Sequence, residues 1–255
     1  MCGRFAQKKT SSEYGEIYEA VDRSITRAAS IRAVRKAAPT ALGPALNAGA
    51  VGPSYNIAPS QPVPVIRIDP KENRRVVDLF QWGLVPSWAK DPSIGARMIN
   101  ARSETIVEKP SYKNAFKSRR CLVPADGYYE WKKSPQGKIP HFIGRPDGRT
   151  FGMAGIWEHW EKELGVLDTF SILTREAEGA LREIHERMPV IIPQDLTAAW
   201  LDAREHDEKK LLALLGQPRD FTLEAYPVSP YVNRPEHNDA SCLSRVSLER
   251  ALPGS

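Results

Sequence analysis

The chain has 255 residues, of which 41% are hydrophobic and 26% charged, and its formal net charge is +5. This length allows a large core, and the composition is that of an ordinary globular protein. No run of 18 apolar residues predicts a membrane span, and the polar start lacks the apolar region of a signal peptide, so we expect a cytoplasmic protein, or a nuclear one in a cell with a nucleus.

The cysteines and histidines argue against two common kinds of site. The sequence has three cysteines, Cys2, Cys121 and Cys242. An odd number of cysteines without CxxC spacing disfavours both a disulfide framework and a zinc ribbon. The five histidines form no HExxH pair, and we expect neither a metal nor another cofactor. The positive charge is compatible with nucleic acid but does not by itself establish it.

The first predicted element is an amphipathic helix over residues 12–27, which Ser11 or Ser12 could cap. The apolar residues at helical spacing are Tyr14, Ile17, Tyr18, Val21 and Ile25. Residues 28–53, rich in alanine, glycine and proline, predict a mobile surface loop or insertion.

Short runs of apolar and aromatic residues then predict strands at 63–68, 76–85, 120–125, 127–132, 140–145, 151–157, 168–174, 188–192 and 221–228. Helices are predicted near 103–108, 111–118, 176–185, 195–202 and 208–215. The strands come in sequential groups without βαβ alternation, so we predict a single α+β domain. Its core would be a largely antiparallel sheet or open barrel with flanking helices. Residues 246–255 are expected to form a frayed tail.

The opening pentapeptide MCGRF places a cysteine directly behind the initiator methionine. Removal of Met1 would leave Cys2 with a free α-amine next to its thiol. An α-amine has a pKa near 7.7–8.0 and a lysine near 10.4, so at neutral pH the terminus holds roughly a few hundred times more neutral amine. A neutral amine can attack a carbonyl to form a Schiff base. The alternative is that residue 2 is arbitrary.

Four other stretches carry candidate chemistry: QWGLVPSWAKD (81–91), MINARSET (98–105), PADGYYEW (124–131) and IHERMPV (184–190). Their polar residues each have a simpler interpretation. Asn100 could cap a turn, Arg102 could form a surface ion pair, and Glu130 could face solvent. His185 could interact favourably with the dipole at the C-terminus of a helix. Trp88 could belong to the core or to an exposed stacking surface.

As a set with Cys2, these residues are more informative. A Schiff base forms through dehydration of a carbinolamine, which needs a proton donor and acceptor, and Glu130 and His185 can serve. Asn100 can orient the amine. Arginines can bind an anionic substrate, and flat aromatic rings can stack on exposed bases.

The chain resembles the SOS response associated peptidase (SRAP) family. The segments that carry the resemblance are MCGRFA at the start, YNIAP (55–59), WGLVPSWAKD (82–91), INARSET (99–105), CLVPADGYYEW (121–131), IHERMPV (184–190) and PVSPYVN (227–233). The resemblance covers residues 2–240 apart from 28–53. It implies an α+β fold with a basic groove for single-stranded DNA and the N-terminal cysteine at its floor.

The resemblance also implies residue roles. Cys2 is the nucleophile toward the aldehyde of an abasic site, Asn100 positions its α-amine, and Glu130 and His185 are acid/base groups. The residues expected to contact DNA are Arg4, Trp88, Arg102, Trp131 and Thr174. The implied product is a thiazolidine crosslink, with Schiff-base lyase activity and autocatalytic removal of Met1. The expected partner is single-stranded DNA with abasic sites, without membrane or metal, and the protein is expected to be a monomer.

Two other functions remain open on the sequence. Cys2 could be the nucleophile of an N-terminal-nucleophile amide hydrolase, with its own amine as the base. The protein could instead be a noncatalytic single-strand-binding module that uses its tryptophans and basic charge.

Overall fold

In the computed structural model, which describes residues 2–25 and 52–252, strands of two to twelve residues are joined by tight turns or by short helices. The strands are β1 (Phe5–Gln7), β2 (Val21–Asp22), β3 (Ser54–Ile57), β4 (Pro62–Asp69), β5 (Arg74–Trp82), β6 (Asn100–Arg102), β7 (Arg120–Ala125), β8 (Gly127–Ser134), β9 (Gly137–Gly144), β10 (Phe151–Lys162), β11 (Gly165–Glu176), β12 (Arg187–Pro189), β13 (Ile191–Ile192) and β14 (Glu224–Pro227). The α-helices are α1 (Ser11–Ile17), α2 (Pro110–Ser118), α3 (Thr197–Leu201) and α4 (Glu208–Leu215). Short 3-10 helices lie at Pro92–Arg97, Ser103–Thr105, Gly179–Glu183, Gln194–Leu196, Pro230–Asn233, Ala240–Leu243 and Glu249–Ala251.

A closed ring of five strands, in the order β5–β4–β7–β10–β11, forms the centre of the molecule. Its neighbours are antiparallel except at the closing pair, where β11 runs parallel to β5 and Phe170 lies opposite Trp82. The Trp82 indole fills the interior, stacks near Phe170 and donates its N–H to the Ile99 carbonyl over 2.8 Å. The predicted α+β domain with a barrel-like core is confirmed, and the parallel pair closes the barrel.

A second, antiparallel sheet has the order β14–β9–β8–β1–β3. Asp126 joins β7 of the barrel to β8 of this sheet, so the two sheets share one continuous stretch of chain. One face of β8 packs on the barrel core through Tyr128, and the other face packs through Tyr129 against the residues that follow β14. No helix within the described ranges is long and apolar enough to cross a membrane.

The first strand is short but firmly held. β1 pairs with β3 on one edge and β8 on the other. The buried Gln7 amide donates to the carbonyls of Pro64 and Pro124, which connects β1 to the barrel. Asp126 accepts hydrogen bonds of 2.6 Å from the Lys8 backbone N–H and from the Lys9 ammonium. These contacts fix the position of the residues just before β1.

The first predicted helix, over 12–27, starts one residue too late and ends ten residues too late. Helix α1 begins after Thr10, which caps it in a capping box with Glu13, rather than after Ser11 or Ser12. It ends at Ile17, because Glu19 adopts a positive φ of 53° and Val21 then pairs with β5. The local apolar spacing is therefore overridden by strand pairing. The predicted loop at 28–53 lies outside the described residues except for its last two.

Most predicted strands are confirmed, with changed boundaries. The run at 76–85 ends as β5 at Trp82, because Gly83 has φ +121° and packs so tightly on Gly95 that a Cβ would lie 2.5 Å from its carbonyl oxygen. The run at 188–192 is split into β12 and β13, and 221–228 contains only the four residues of β14.

The predicted helices at 111–118 and 208–215 are confirmed as α2 and α4, and 195–202 contains a 3-10 turn followed by α3. The predictions at 103–108 and 176–185 were wrong in type, since both form only short 3-10 turns. Residues 246–252 do not fray: the Val246 N–H donates to the Pro227 carbonyl, and Ala251 is buried. Burial of a small apolar side chain holds this segment despite its polar neighbours.

Candidate active site

Cys2 lies at the floor of the candidate site, fully buried just before β1. Asn100, the first residue of β6, donates from Nδ2 to the Cys2 carbonyl oxygen over 2.8 Å. Strand β6 pairs with the barrel strand β11, which places Asn100 opposite Ile172. The Asn100 Oδ1 atom is buried and accepts no hydrogen bond from the described residues. Asn100 therefore holds the Cys2 backbone with one end of its amide and has an unused acceptor at the other.

Glu130 lies on the core-facing side of β8 and is only 3% exposed. The alternation of the strand places it on the face opposite to Tyr129 and Trp131, and this face is buried, so Glu130 does not face solvent. Burial raises the pKa of Glu130 from 4.5 to about 7. Near neutral pH this carboxyl is therefore available both as a proton donor and as a proton acceptor.

His185 faces Glu130 from the turn that precedes β12, with its Nε2 atom 4.0 Å from the Glu130 Oε2 atom. The Arg187 backbone N–H donates to Nδ1 over 3.0 Å, and the Arg187 carbonyl lies farther away at 3.3 Å. The shorter contact requires an unprotonated Nδ1, which places the proton of the neutral ring on Nε2, toward Glu130. Burial lowers the pKa of His185, which favours this neutral form.

The Cys2 thiol is held in its protonated form. Burial raises the pKa of the Cys2 thiol far above its ordinary value, and the nearby Glu130 carboxylate raises it further. A thiol with a raised pKa is a weak first nucleophile at neutral pH. The site thus brings together all four residues predicted for catalysis, Cys2, Asn100, Glu130 and His185, and it disfavours direct attack by the sulfur.

A sequence model of the SOS response associated peptidase (SRAP) family matches residues 1–235. The chain belongs to the SRAP family. It is 42% identical over 197 residues to the abasic site processing protein YoaM of Bacillus subtilis, covering 76% of this chain and 86% of YoaM. It is 34% identical over 239 residues to the abasic site processing protein HMCES of Gallus gallus, covering 82% of this chain and 70% of HMCES.

The fold is also similar to that of solved structures. A crystal structure of a protein from Bacteroides thetaiotaomicron superposes with a TM-score of 0.76 at 25% sequence identity, covering 96% of this chain and all of the other. A protein from Bordetella bronchiseptica superposes with a TM-score of 0.63 at 27% identity, covering 89% of this chain and 94% of that chain.

In this SRAP family member, three of the residues predicted to contact DNA lie at least partly at the surface. Trp88 is 61% exposed, while the adjacent Ala89 is buried and anchors the loop. Arg102 is exposed at the end of β6, two residues beyond Asn100. Trp131 is partly exposed on β8, and its indole N–H donates to the Asn233 side chain over 2.8 Å. These positions allow contact with a ligand, which remains a prediction.

Two further predicted DNA contacts lie differently. The Arg4 guanidinium is partly buried, and its Nη1 donates to Asn56 Oδ1 and to the Val232 carbonyl over 2.7 and 3.0 Å, so this nitrogen is engaged within the protein. Thr174 is only 1% exposed, and its carbonyl accepts a 2.7 Å hydrogen bond from Arg187. The Thr174 hydroxyl faces the protein interior, which does not support a direct contact with DNA.

Asn56, in the motif YNIAP, has a structural role that the sequence alone does not indicate. This fully buried side chain donates to the carbonyls of Val232, Arg234 and His237, and it thereby fixes the loop after β14. That loop supplies the partner of the Trp131 indole. The signal was present in the motifs YNIAP and PVSPYVN, but their contact spans more than 170 residues of sequence and appears only after folding.

Proposed function

We propose that this protein processes abasic sites in single-stranded DNA by forming a covalent thiazolidine through Cys2. The observation that carries the proposal is the burial of residue 2 between Asn100, which binds its backbone, and the facing pair of Glu130 and His185. The names of the relatives YoaM and HMCES, both abasic site processing proteins, support the choice of substrate.

The first step uses the α-amine of Cys2, which removal of Met1 sets free. The amine nitrogen attacks the aldehyde carbon of the ring-opened abasic sugar and forms a carbinolamine. Loss of the hydroxyl as water needs a proton, which Glu130 donates, since a carboxyl with a pKa of about 7 is partly protonated at neutral pH. The product is a protonated imine between the protein and the DNA. The free Asn100 Oδ1 is the acceptor that we assign to the amine.

The second step uses the thiol. The Cys2 sulfur bonds to the imine carbon, the π electrons of the C=N bond move to nitrogen, and the thiol proton passes to the Glu130 carboxylate. The resulting five-membered ring contains the sulfur, the former aldehyde carbon, the nitrogen, Cα and Cβ. The imine is the electron sink for β-elimination of the 3′ phosphate, so ring closure suppresses strand cleavage. Lyase activity is the competing path of the open imine.

The exposed residues around the site would bind the strand. We assign Trp88 and Trp131 to base stacking and Arg102 to a phosphate, since both kinds of contact are typical of single-stranded DNA sites. Both kinds of contact support a single-stranded substrate, and the proposed site needs no residue from a second copy of the chain, in keeping with a monomer.

The family description also names a peptidase, which on this chain would be hydrolysis of the bond between Met1 and Cys2. We include this autocatalytic step in the proposal, although an ordinary aminopeptidase would expose Cys2 equally well. A general amide hydrolase that uses the Cys2 sulfur is disfavoured, because the raised pKa of the thiol leaves little thiolate at neutral pH.

The test is incubation of the mature protein with a single-stranded oligonucleotide that carries one abasic site, followed by a denaturing gel. The wild type should give a heat-stable shifted band. Cys2→Ser keeps the amine and should give an imine that borohydride traps, with little heat-stable product. One residue inserted ahead of Cys2 should abolish both products, and Cys242→Ser is the matched control. A Cys2→Ser variant that crosslinks as stably as the wild type would refute the thiazolidine.

A further inference from the structure

An ion pair between Glu104 and Arg187 connects the two sides of the candidate site. Arg187 donates from Nη1 and Nη2 to the two carboxylate oxygens of Glu104, over 2.7 and 2.8 Å. Such a two-bond arrangement fixes the orientation of a guanidinium as well as its position. The Arg187 side chain is 9% exposed, so its charge is largely removed from water and depends on this partner.

The two partners come from segments that carry different parts of the site. Glu104 lies in the 3-10 turn that directly follows β6, the strand that begins with Asn100. Arg187 begins β12, two residues after His185. Strand β11 lies between β6 and β12 and pairs with both, and the Arg187 side chain crosses it to bond with the Thr174 carbonyl. The ion pair therefore ties the Asn100 side of the site to the His185 side.

The connection to His185 runs through the Arg187 backbone. Its N–H is the donor that occupies Nδ1 of His185, and this contact determines which nitrogen carries the ring proton. If Arg187 loses Glu104, a largely buried guanidinium is left without its carboxylate, and the turn at 185–187 must move to rehydrate it. The hydrogen bond from the Arg187 N–H to His185 Nδ1 would then be lost, or it would form in only one of two orientations of the ring.

We propose that Glu104 is a positioning residue for His185: it fixes Arg187 and thereby holds the ring with its Nε2–H toward Glu130. The effect of Glu104 on catalysis rests on the proposed function, whereas its effect on the orientation and tautomer of the His185 ring does not. Glu104 itself touches none of the reacting groups. The same arrangement explains the role of Thr174: its side chain is small, and its carbonyl accepts a hydrogen bond where Arg187 crosses β11.

The first experiment observes the ring directly. Protein labelled with ¹⁵N-histidine is studied by long-range ¹H–¹⁵N correlation, with the His185 signals assigned from their loss in His185→Gln. The wild type should show a neutral ring protonated at Nε2, and Glu104→Ala should show a mixture of tautomers. Asp147→Ala is the matched control, since Asp147 also binds an arginine through two bonds and its side chain is 45% exposed, against 46% for Glu104.

The second experiment measures single-turnover crosslinking at saturating abasic DNA. Glu104→Ala should lower the maximal rate by roughly 10-fold to 100-fold, the range expected for a misplaced acid/base group, without changing the DNA concentration that gives half of that rate. Glu104→Gln keeps one acceptor oxygen and should recover part of the rate. One limb of the pH profile of the crosslinking rate reports the ionisation of His185, and this limb should differ between Glu104→Ala and the wild type. Glu130, Lys133 and Glu186 also influence that ionisation.

Several results would overturn the proposal. The first is that Glu104→Ala keeps the wild-type tautomer of His185. The second is that Glu104→Ala loses crosslinking rate while its tautomer and pH profile are unchanged. The third is that Asp147→Ala loses as much crosslinking rate as Glu104→Ala. Thermal unfolding of each variant shows that it is folded. If the wild type forms no crosslink at all, the proposed function fails, but the tautomer experiment still decides whether Glu104 positions His185.

Discussion

Glu130 should make the protein less stable as the pH rises, and Glu130→Gln should remove this effect. The folded-state pKa is raised from 4.5 to about 7 because the carboxyl is buried, a difference of about 2.5 pH units. Between these two values the unfolded chain has released the proton while the folded protein retains it. The free energy of unfolding therefore falls by about 3 kcal/mol in total as the pH rises through this window. Above the window Glu130 contributes no further change.

The assay is urea unfolding of the wild type and of Glu130→Gln at several pH values from 4.5 to 8. Glutamine has nearly the same volume but does not titrate, so the variant should gain about 3 kcal/mol relative to the wild type between the ends of this range. Glu183→Gln is the control, since that carboxylate is mostly exposed and its replacement should leave the pH dependence unchanged. A difference between wild type and Glu130→Gln that is the same at pH 4.5 and pH 8 would refute the burial argument, and with it the assignment of Glu130 as a proton donor near neutral pH.

Four further predictions follow from the described contacts. Trp131→Ala should weaken binding of single-stranded DNA by on the order of 1–3 kcal/mol in a fluorescence anisotropy titration, because one stacking surface is lost. Thr174→Val should leave the same affinity unchanged because its hydroxyl is buried, and a loss as large as that of Trp131→Ala would contradict this. Arg102→Ala should reduce the slope of log affinity against log salt by about 0.7, the value for one phosphate contact on a single strand. Asp126→Ala should lower the free energy of unfolding by about 3–5 kcal/mol in urea, since it removes the acceptor of the buried Tyr14 hydroxyl and the carboxylate partner of the Lys9 ammonium, and a change below about 1 kcal/mol would count against this role.

The fold could be predicted from the sequence where local patterns and tertiary structure agree. The strands β7, β10 and β11 are rich in buried apolar and aromatic residues, and α2 and α4 show helical spacing within clear boundaries. The short strands β1, β3 and β6 were missed, since three or four residues carry no periodicity. Closure of the barrel by a parallel pair between β5 and β11 depends on residues nearly 90 positions apart, for which no local pattern exists.

The site was predictable for a different reason. Cys2, Asn100, Glu130 and His185 were chosen because one reaction needs all four, and the structure brings them together. The residues that hold them were not predictable in this way. Glu104 resembles any surface carboxylate in the sequence, and only the three-dimensional structure shows that it binds the arginine beside His185.

The double pairing of β1 would have a mechanical consequence if Cys2 is joined to DNA as proposed. Tension on such a crosslink would reach the protein at Cys2, and its component along β1 would be passed directly to that strand. Because β3 and β8 flank the strand on both edges, the hydrogen bonds of both ladders would be loaded in shear and would have to break together, rather than one after another. The proposed crosslink would thus be anchored at a point of the chain that resists being pulled out.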